Sequence, residues 1–270
     1  MLPLSDNLFL IPSASAGEGK TKGMAKGLSL CHQDKAFAGE SAGFGLPVLK
    51  TADNQTIFPS LVSSKVLTPG TFEAVYHLNL ITAWQIFGVP APSYFRDFME
   101  KIVSLYMNRP GFQQPGLQIR NAIFKLFHIR STMKPGKSFG YCRVLYQTEG
   151  LRLEINVKGE ALPDGGQLIL LNEVPGTDFS RMIMRTASGR DIRDGSDFLP
   201  WQACTIDTAI ENPDLHIGFF LSIPDNPDSP SVQIAAGREV GRDLNWAGLA
   251  LETDQTAVTY HVNFYNQNPM

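Results

Sequence analysis

The sequence predicts a mainly β protein, a large antiparallel two-sheet β-sandwich with one inserted amphipathic helix, occupying residues 1–270 as a single domain. Three observations predict it. Apolar and polar residues alternate with period 2 through most of the chain. The segments between are rich in Pro, Gly and Asp and show no alternation of strand with helix, which favours antiparallel pairing in two packed sheets. One early segment instead carries its apolar residues at helical spacing.

In chain order, the short apolar run Leu8 to Ile11 leads into Ala14-Ser-Ala-Gly-Glu-Gly-Lys-Thr21. Over these eight residues the chain resembles the phosphate-binding loop of P-loop NTPases, which implies Lys20 on phosphate oxygens, Thr21 on Mg²⁺ and a helix opening behind them. The chain departs from that pattern at Ala14, where the first glycine belongs, and at Gly23 and Gly27, where the helix should start. The expectation is a Gly/Lys-rich surface loop.

Gly39-Glu-Ser-Ala-Gly-Phe-Gly45 runs into Leu46-Pro47, which forbids an ordinary helix start. Its glycines are expected to allow a bulge or a close sheet crossing, and Glu40 is a candidate ligand-binding residue in that small-residue setting. From Phe72 to Leu80, Ala74, Tyr76 and Leu78 face one side and Glu73, His77 and Asn79 the other. The inserted helix is placed near 93–109: Tyr94, Phe95, Phe98, Ile102 and Leu105 form a stripe, Ser93 is the N-cap and Arg109-Pro110-Gly111 the stop. Gly116 to Ile129 suits either a strand or a helix; the alternation of Leu117, Ile119 and Ile123 tilts the reading to strand.

Leu151 to Lys158 is the clearest half-buried strand, with Leu151, Leu153, Ile155 and Val157 inward and Arg152, Glu154, Asn156 and Lys158 outward. Gln167 to Leu171 and Leu215 to Ile223 are continuous apolar runs, expected to be buried on both faces. Turns are expected at Pro163 to Gly166, Pro175-Gly176, Asp191 to Gly195 and Pro224 to Pro230. Val258 to Phe264 closes the series, with Thr259, His261 and Asn263 outward.

Hydrophobic residues at 43% support a sizeable core, while a net charge of −3 without a dense Lys/Arg run argues against nucleic acid as a partner. The three cysteines are widely spaced, and the five histidines show no HxH or i, i+4 pair, so no metal site and no cofactor is expected. No run reaches the roughly 18 apolar residues of a membrane span, and the N-terminus lacks a signal-peptide pattern. The expected setting is therefore cytoplasmic, without a membrane partner.

The outward residues carry the functional reading. Glu73 and His77 are the candidate catalytic pair, expected roughly 7 Å apart between Cα atoms on one strand face. Arg152, Glu154, His261 and Glu40 are candidate ligand-binding residues. Carboxylate, imidazole, guanidinium and amide groups on a sheet face, with Trp84, Trp201 or Trp246 nearby, suit a saccharide or similar small polar ligand. Three readings follow: a carbohydrate or polar small-molecule binder, with or without Glu/His catalysis; a noncatalytic interaction module; and a nucleotide binder through residues 14–21.

Overall fold

The computed structural model describes residues 1–12, 23–92, 95, 113–186, 189–195, 197–224, 232–241 and 244–266. The expected helix near 93–109 and the phosphate-loop likeness at 14–21 lie outside these residues, apart from Phe95, which is helical.

The described chain is mainly β and antiparallel. A long sheet runs in the order β14 (Gly189–Asp194), β13 (Arg181–Thr186), β16 (Ala209–Asn212), β17 (Ile217–Ser222), β20 (Ala257–Asn266), β11 (Arg152–Gly159), β10 (Tyr141–Glu149), β7 (Thr71–Ile86) and β6 (Thr56–Thr68). The far half of β7 carries β8 (Val89–Pro90) and β9 (Arg130–Pro135). A second sheet runs in the order β1 (Leu2–Pro3), β2 (Leu8–Pro12), β3 (Leu28–His32), β5 (Phe44–Lys50), β12 (Gln167–Val174), β19 (Asn245–Thr253), β18 (Val232–Val240) and β15 (Phe198–Cys204), with β4 (Lys35–Phe37) on β3. The corner Leu49↔Ile57 and Lys50↔Thr56, between β5 and β6, joins them into one folded ladder.

Their apolar faces meet. Phe44 of the second sheet packs edge-on against Phe219 and Phe264 of the long sheet, with ring centroids 5.0 and 5.2 Å apart. Alternation does what period 2 demands: Phe72, Ala74, Tyr76 and Leu78 are buried, as are Leu153, Ile155 and Val157 and, on β20, Tyr260, Val262 and Phe264.

Three tyrosines cross the core with their hydroxyls satisfied. Tyr260 donates to Asn172 Oδ1 at 3.0 Å, and Tyr146 donates to Gly45 O at 3.2 Å. Tyr76 and Tyr146 hydroxyls meet at 3.2 Å, and Tyr76 also reaches Lys26 O at 3.2 Å. Gly45 N donates to Asn172 Oδ1 at 3.2 Å, so one asparagine and one glycine tie β5 and β12 to the long sheet. Gly45 is an extra residue: Leu171 pairs Leu46, and Asn172 pairs Phe44. Its φ of +73° and the approach of Tyr146 leave no room for a Cβ, which would stand 2.7 Å from the ring. The close crossing expected from the glycine spacing is therefore here, as a bulge.

Corrections to the sequence reading are local. Gln113–Leu126 is helix α1, not strand. The alternation of Leu117, Ile119 and Ile123 is outweighed by Ile119, Ile123, Phe124 and Phe127 at helical spacing and by a C-terminal cap in which Ile129 N bonds Phe124 O at 2.8 Å and His128 N bonds Lys125 O at 3.3 Å. Asp191 to Asp194 belongs to β14 rather than a turn, because Arg181↔Asp194 through Thr186↔Gly189 close a hairpin around it. Leu151 sits exposed in the β10–β11 turn. Ile169, Leu171 and Phe220 are half-buried rather than enclosed on both faces. The turn expected at Pro224 to Pro230 lies outside the described residues beyond Pro224.

β6 borders the long sheet, and among the described residues its outer edge is unpaired from Ser60 onward. Register shifts at Phe58/Pro59, Leu61/Ser63 and Val66/Thr68 keep this edge irregular, a device that discourages strand addition.

Gly45→Ala is expected to cost roughly 2–4 kcal/mol, because left-handed strain adds to displacement of a packed ring. Gly150→Ala is the control: its φ is +56° but nothing lies within 4 Å of the added Cβ, so about 1 kcal/mol is expected. Urea unfolding of both compares them; equal losses would mean that packing at the crossing contributes nothing.

Candidate functional site

The outward face of the long sheet collects the polar residues in cross-strand rows. One row is Gln147↔Glu154↔His261↔Ser222, across β10, β11, β20 and β17. The next is Glu149↔Arg152↔Asn263↔Phe220. Directly opposed residues on an antiparallel face have Cβ atoms about 5 Å apart, so neighbouring side chains in these rows can touch a common ligand.

His261 Nε2 stands 3.4 Å from Glu154 Oε2. The imidazole is largely buried against the sheet, whereas Glu154 is more open to solvent. Asn263 Nδ2 donates to Ser222 Oγ at 2.8 Å, Asn156 Nδ2 donates to Thr259 Oγ1 at 2.7 Å, and Arg152 pairs with Glu149. Beside these rows lies a cleft of about 220 Å³ lined by Gln147, Thr148, Glu149, Arg152 and Glu154. The structure thus brings Arg152 and Glu154 of β11 together with His261 of β20, about a hundred residues on in sequence.

Glu73 and His77 do not join them. Four residues separate the pair, so the strand rise puts their Cα atoms roughly 13 Å apart, twice the expected spacing. Glu73 faces Lys65 at 3.1 Å and Arg143 at 3.6 Å. His77 stacks on Tyr141 with a centroid separation of 4.7 Å and shares a 2.7 Å hydrogen bond with Ser138 Oγ. His77 points from the same outer face as Arg152 and His261. The β7 residue in register with Gln147 is Thr71, however, six residues away and so about 20 Å along the strand.

The tryptophans lie elsewhere. Trp201 and Trp246 stack at 4.8 Å over Gly237 on the second sheet, and Trp84 meets Phe124 of α1 at 5.2 Å. Phe220, half-buried in the Arg152–Asn263 row, is the ring nearest the cleft in register. Its continuously apolar run predicts a core position, so no periodicity points to it.

A second polar group on the same face is fully tied up. Tyr265 donates to Glu211 Oε2 at 3.1 Å, Arg181 Nη1 donates to Glu211 Oε1 at 3.0 Å, and Arg181 Nε donates to Asp194 Oδ1 at 2.8 Å. Gly218 makes this possible, since a Cβ there would stand 2.3 Å from the Tyr265 hydroxyl that crosses it. These carboxylates raise the Arg181 pKa, with the Asp194 hydrogen bond the largest cause. No periodicity marks this group, because it depends on which strands are neighbours.

Glu40 lies in the loop before β5, on the other sheet, and so does not face the cleft. The ionisable centre of that region is Glu173, whose carboxylate accepts from Ala42 N at 2.7 Å while Lys26 Nζ donates to Gly39 O. Burial pushes the Glu173 carboxyl up to about 7, against the opposing pull of the Ala42 hydrogen bond and the Lys26 charge. Among the described residues no group of His, Cys, Asp and Glu is arranged to hold a metal ion.

No protein-family model matches the chain, and no curated protein matches it in sequence. Among solved structures it is similar to an alpha-mannosidase from Enterococcus faecalis V583, at 11% identity and a TM-score of 0.40. The similarity covers 97% of this chain and 29% of that one, so the chain spans under a third of the mannosidase's length.

The raised Glu173 pKa sets the sign of a pH dependence. Between the ordinary value of 4.5 and about 7 the folded state holds the proton more tightly than the unfolded state does. The contribution to stability is therefore greatest below that window and declines as pH rises through it, by roughly 3 kcal/mol in all. Glu173→Gln is expected to remove this slope between pH 5 and 8, since an amide does not titrate there. Urea midpoints across that range measure it; parallel curves for the two proteins would refute the assignment.

Proposed function

We propose that the outer face of the long sheet binds a saccharide or a similarly sized polyhydroxylated molecule, at the cleft beside Glu154 and His261. The observation that carries this reading is the convergence of unlike hydrogen-bonding groups. Arg152 supplies a planar donor, Glu154 an acceptor, Gln147 both, and His261 a ring nitrogen of either kind. Adjacent hydroxyls on a sugar ring demand such a mixture. A site for a simple cation or anion would present one sign.

The cleft volume of about 220 Å³ is below the roughly 300–1,000 Å³ of pockets that enclose drug-sized ligands. One ring, or one residue of a longer chain lying on the face, fits that size. Phe220 would offer an apolar surface at the border, the role an indole plays in stacking on a sugar ring.

Binding is the primary reading. If acid–base chemistry accompanies it, the pair to carry it is Glu154 and His261 at 3.4 Å, not Glu73 and His77. A ligand hydroxyl within hydrogen-bond reach of both groups can exchange a proton with either of them.

Titration of ¹⁵N-labelled protein with neutral and acidic saccharides tests the proposal. Shifts are expected to centre on β10, β11 and β20 around Gln147, Glu154 and His261. Glu154→Gln and Arg152→Ala should each weaken binding about tenfold, the equivalent of one lost charge-assisted hydrogen bond. Shifts centred on another face, or affinities indifferent to both substitutions, would defeat it.

A further inference from the structure

The β7–β8 hairpin and the end of α1 form a single unit. Phe87 N donates to Phe127 O at 3.3 Å, and the Phe87 ring lies 6.4 Å from that of Phe127 and 5.4 Å from that of His128. The unit is strongly apolar yet open to solvent, with Phe87 62%, Val89 65%, Leu126 70% and Phe127 40% exposed. Scattered exposed hydrophobics need no explanation, but four on two elements bonded to each other make a patch.

Its backbone adds a second observation. Phe87 and Gly88 are the two central residues of a tight hairpin turn, with φ of +50° and +83°. Such turns favour Asn-Gly, because a bulky residue in the left-handed region is strained. His128 caps α1 at φ +47°, where Gly or Asn is usual. Two bulky rings thus occupy two strained positions and touch each other on the surface, an arrangement that costs stability and buries little.

Charge identifies the occupant. The described residues within 81–137 include Arg120, Lys125, Arg130, Lys134 and Lys137 and no Asp or Glu, in a chain whose total is −3. Arg120 is paired with Glu239, and the other four cations carry the local excess. We infer that this unit docks on an anionic lipid surface, its apolar side chains entering the headgroup layer and the basic residues of α1 and β9 attracting the headgroups. An exposed hairpin tip and helix end need no complementary groove in a fluid layer, whereas a folded protein partner would have to supply one. Among the described residues no helix is long and apolar enough to cross a membrane, and surface docking requires none.

Cosedimentation of the full chain with vesicles tests this, using phosphatidylcholine alone and phosphatidylcholine with about 30% phosphatidylserine. The chain is expected to sediment with the anionic vesicles only and to be released by about 0.5 M salt. Phe87→Asn suits the turn better than the native residue, so its melting temperature should hold or rise while vesicle affinity falls about tenfold. Leu126→Gln, at an exposed site, should do likewise without altering charge. Equal binding to both vesicle types, no binding to either, or undiminished binding by both variants would overturn the inference. Retention on immobilised polyglutamate without vesicle binding would overturn it in favour of an acidic polypeptide partner.

Discussion

Everything in this fold hangs on the place where β5 crosses the long sheet at Gly45. There the two layers approach so closely that backbone polar groups of β5 would be buried without partners unless side chains reached them. Asn172 and Tyr146 do so, one accepting from Gly45 N and the other donating to Gly45 O, and Tyr260 completes the asparagine's second contact. An unsatisfied buried amide costs on the order of 1–3 kcal/mol, so these bonds are a condition for the two sheets to pack rather than an ornament of the core. The bulge also lets Phe44 point inward, where it meets Phe219 and Phe264. With β5 held there, β12 is placed beside it, and the corner to β6 begins the long sheet.

That arrangement leaves the two outer faces unlike. On the second sheet the outward row Glu173↔Gly248↔Gly237 is built from glycines under covering side chains, and its carboxylate is buried beside Lys26. Trp201 and Trp246 occupy the space above Gly237. On the long sheet, by contrast, hydrogen-bonding side chains stand in register across four strands with a cleft beside them. One group there, Glu211 with Arg181 and Tyr265, is satisfied internally. Its neighbour around Glu154 and His261 has a longer contact and lies beside an opening.

The outer-face cleft and the exposed apolar patch occupy different parts of the molecule. Glu154 is aligned with the start of β7, at Thr71, whereas the hairpin tip follows its end at Ile86. Because β7 is sixteen residues long, its ends lie about 50 Å apart along the strand. A ligand held at one end and a surface held at the other would not compete for space.

The sequence by itself determined the class of the fold, most of the strands and the face on which each outward side chain stands, because pleating alternates side chains whatever the neighbours are. It also marked Gly39 to Gly45 as a close approach, since repeated glycine before Leu46-Pro47 has few other uses. Tertiary structure decided the rest. Period 2 says nothing about which strands pair, so it could not tell that Glu154 meets His261 while Glu73 meets Lys65 and Arg143. The α1 segment defeated it differently: Ile119 and Ile123 satisfy both periods, and the choice fell to the His128 cap and the contact of Phe124 with Trp84. Site residues are a property of register and sheet order, and those are set by long-range packing around Gly45, not by any local pattern.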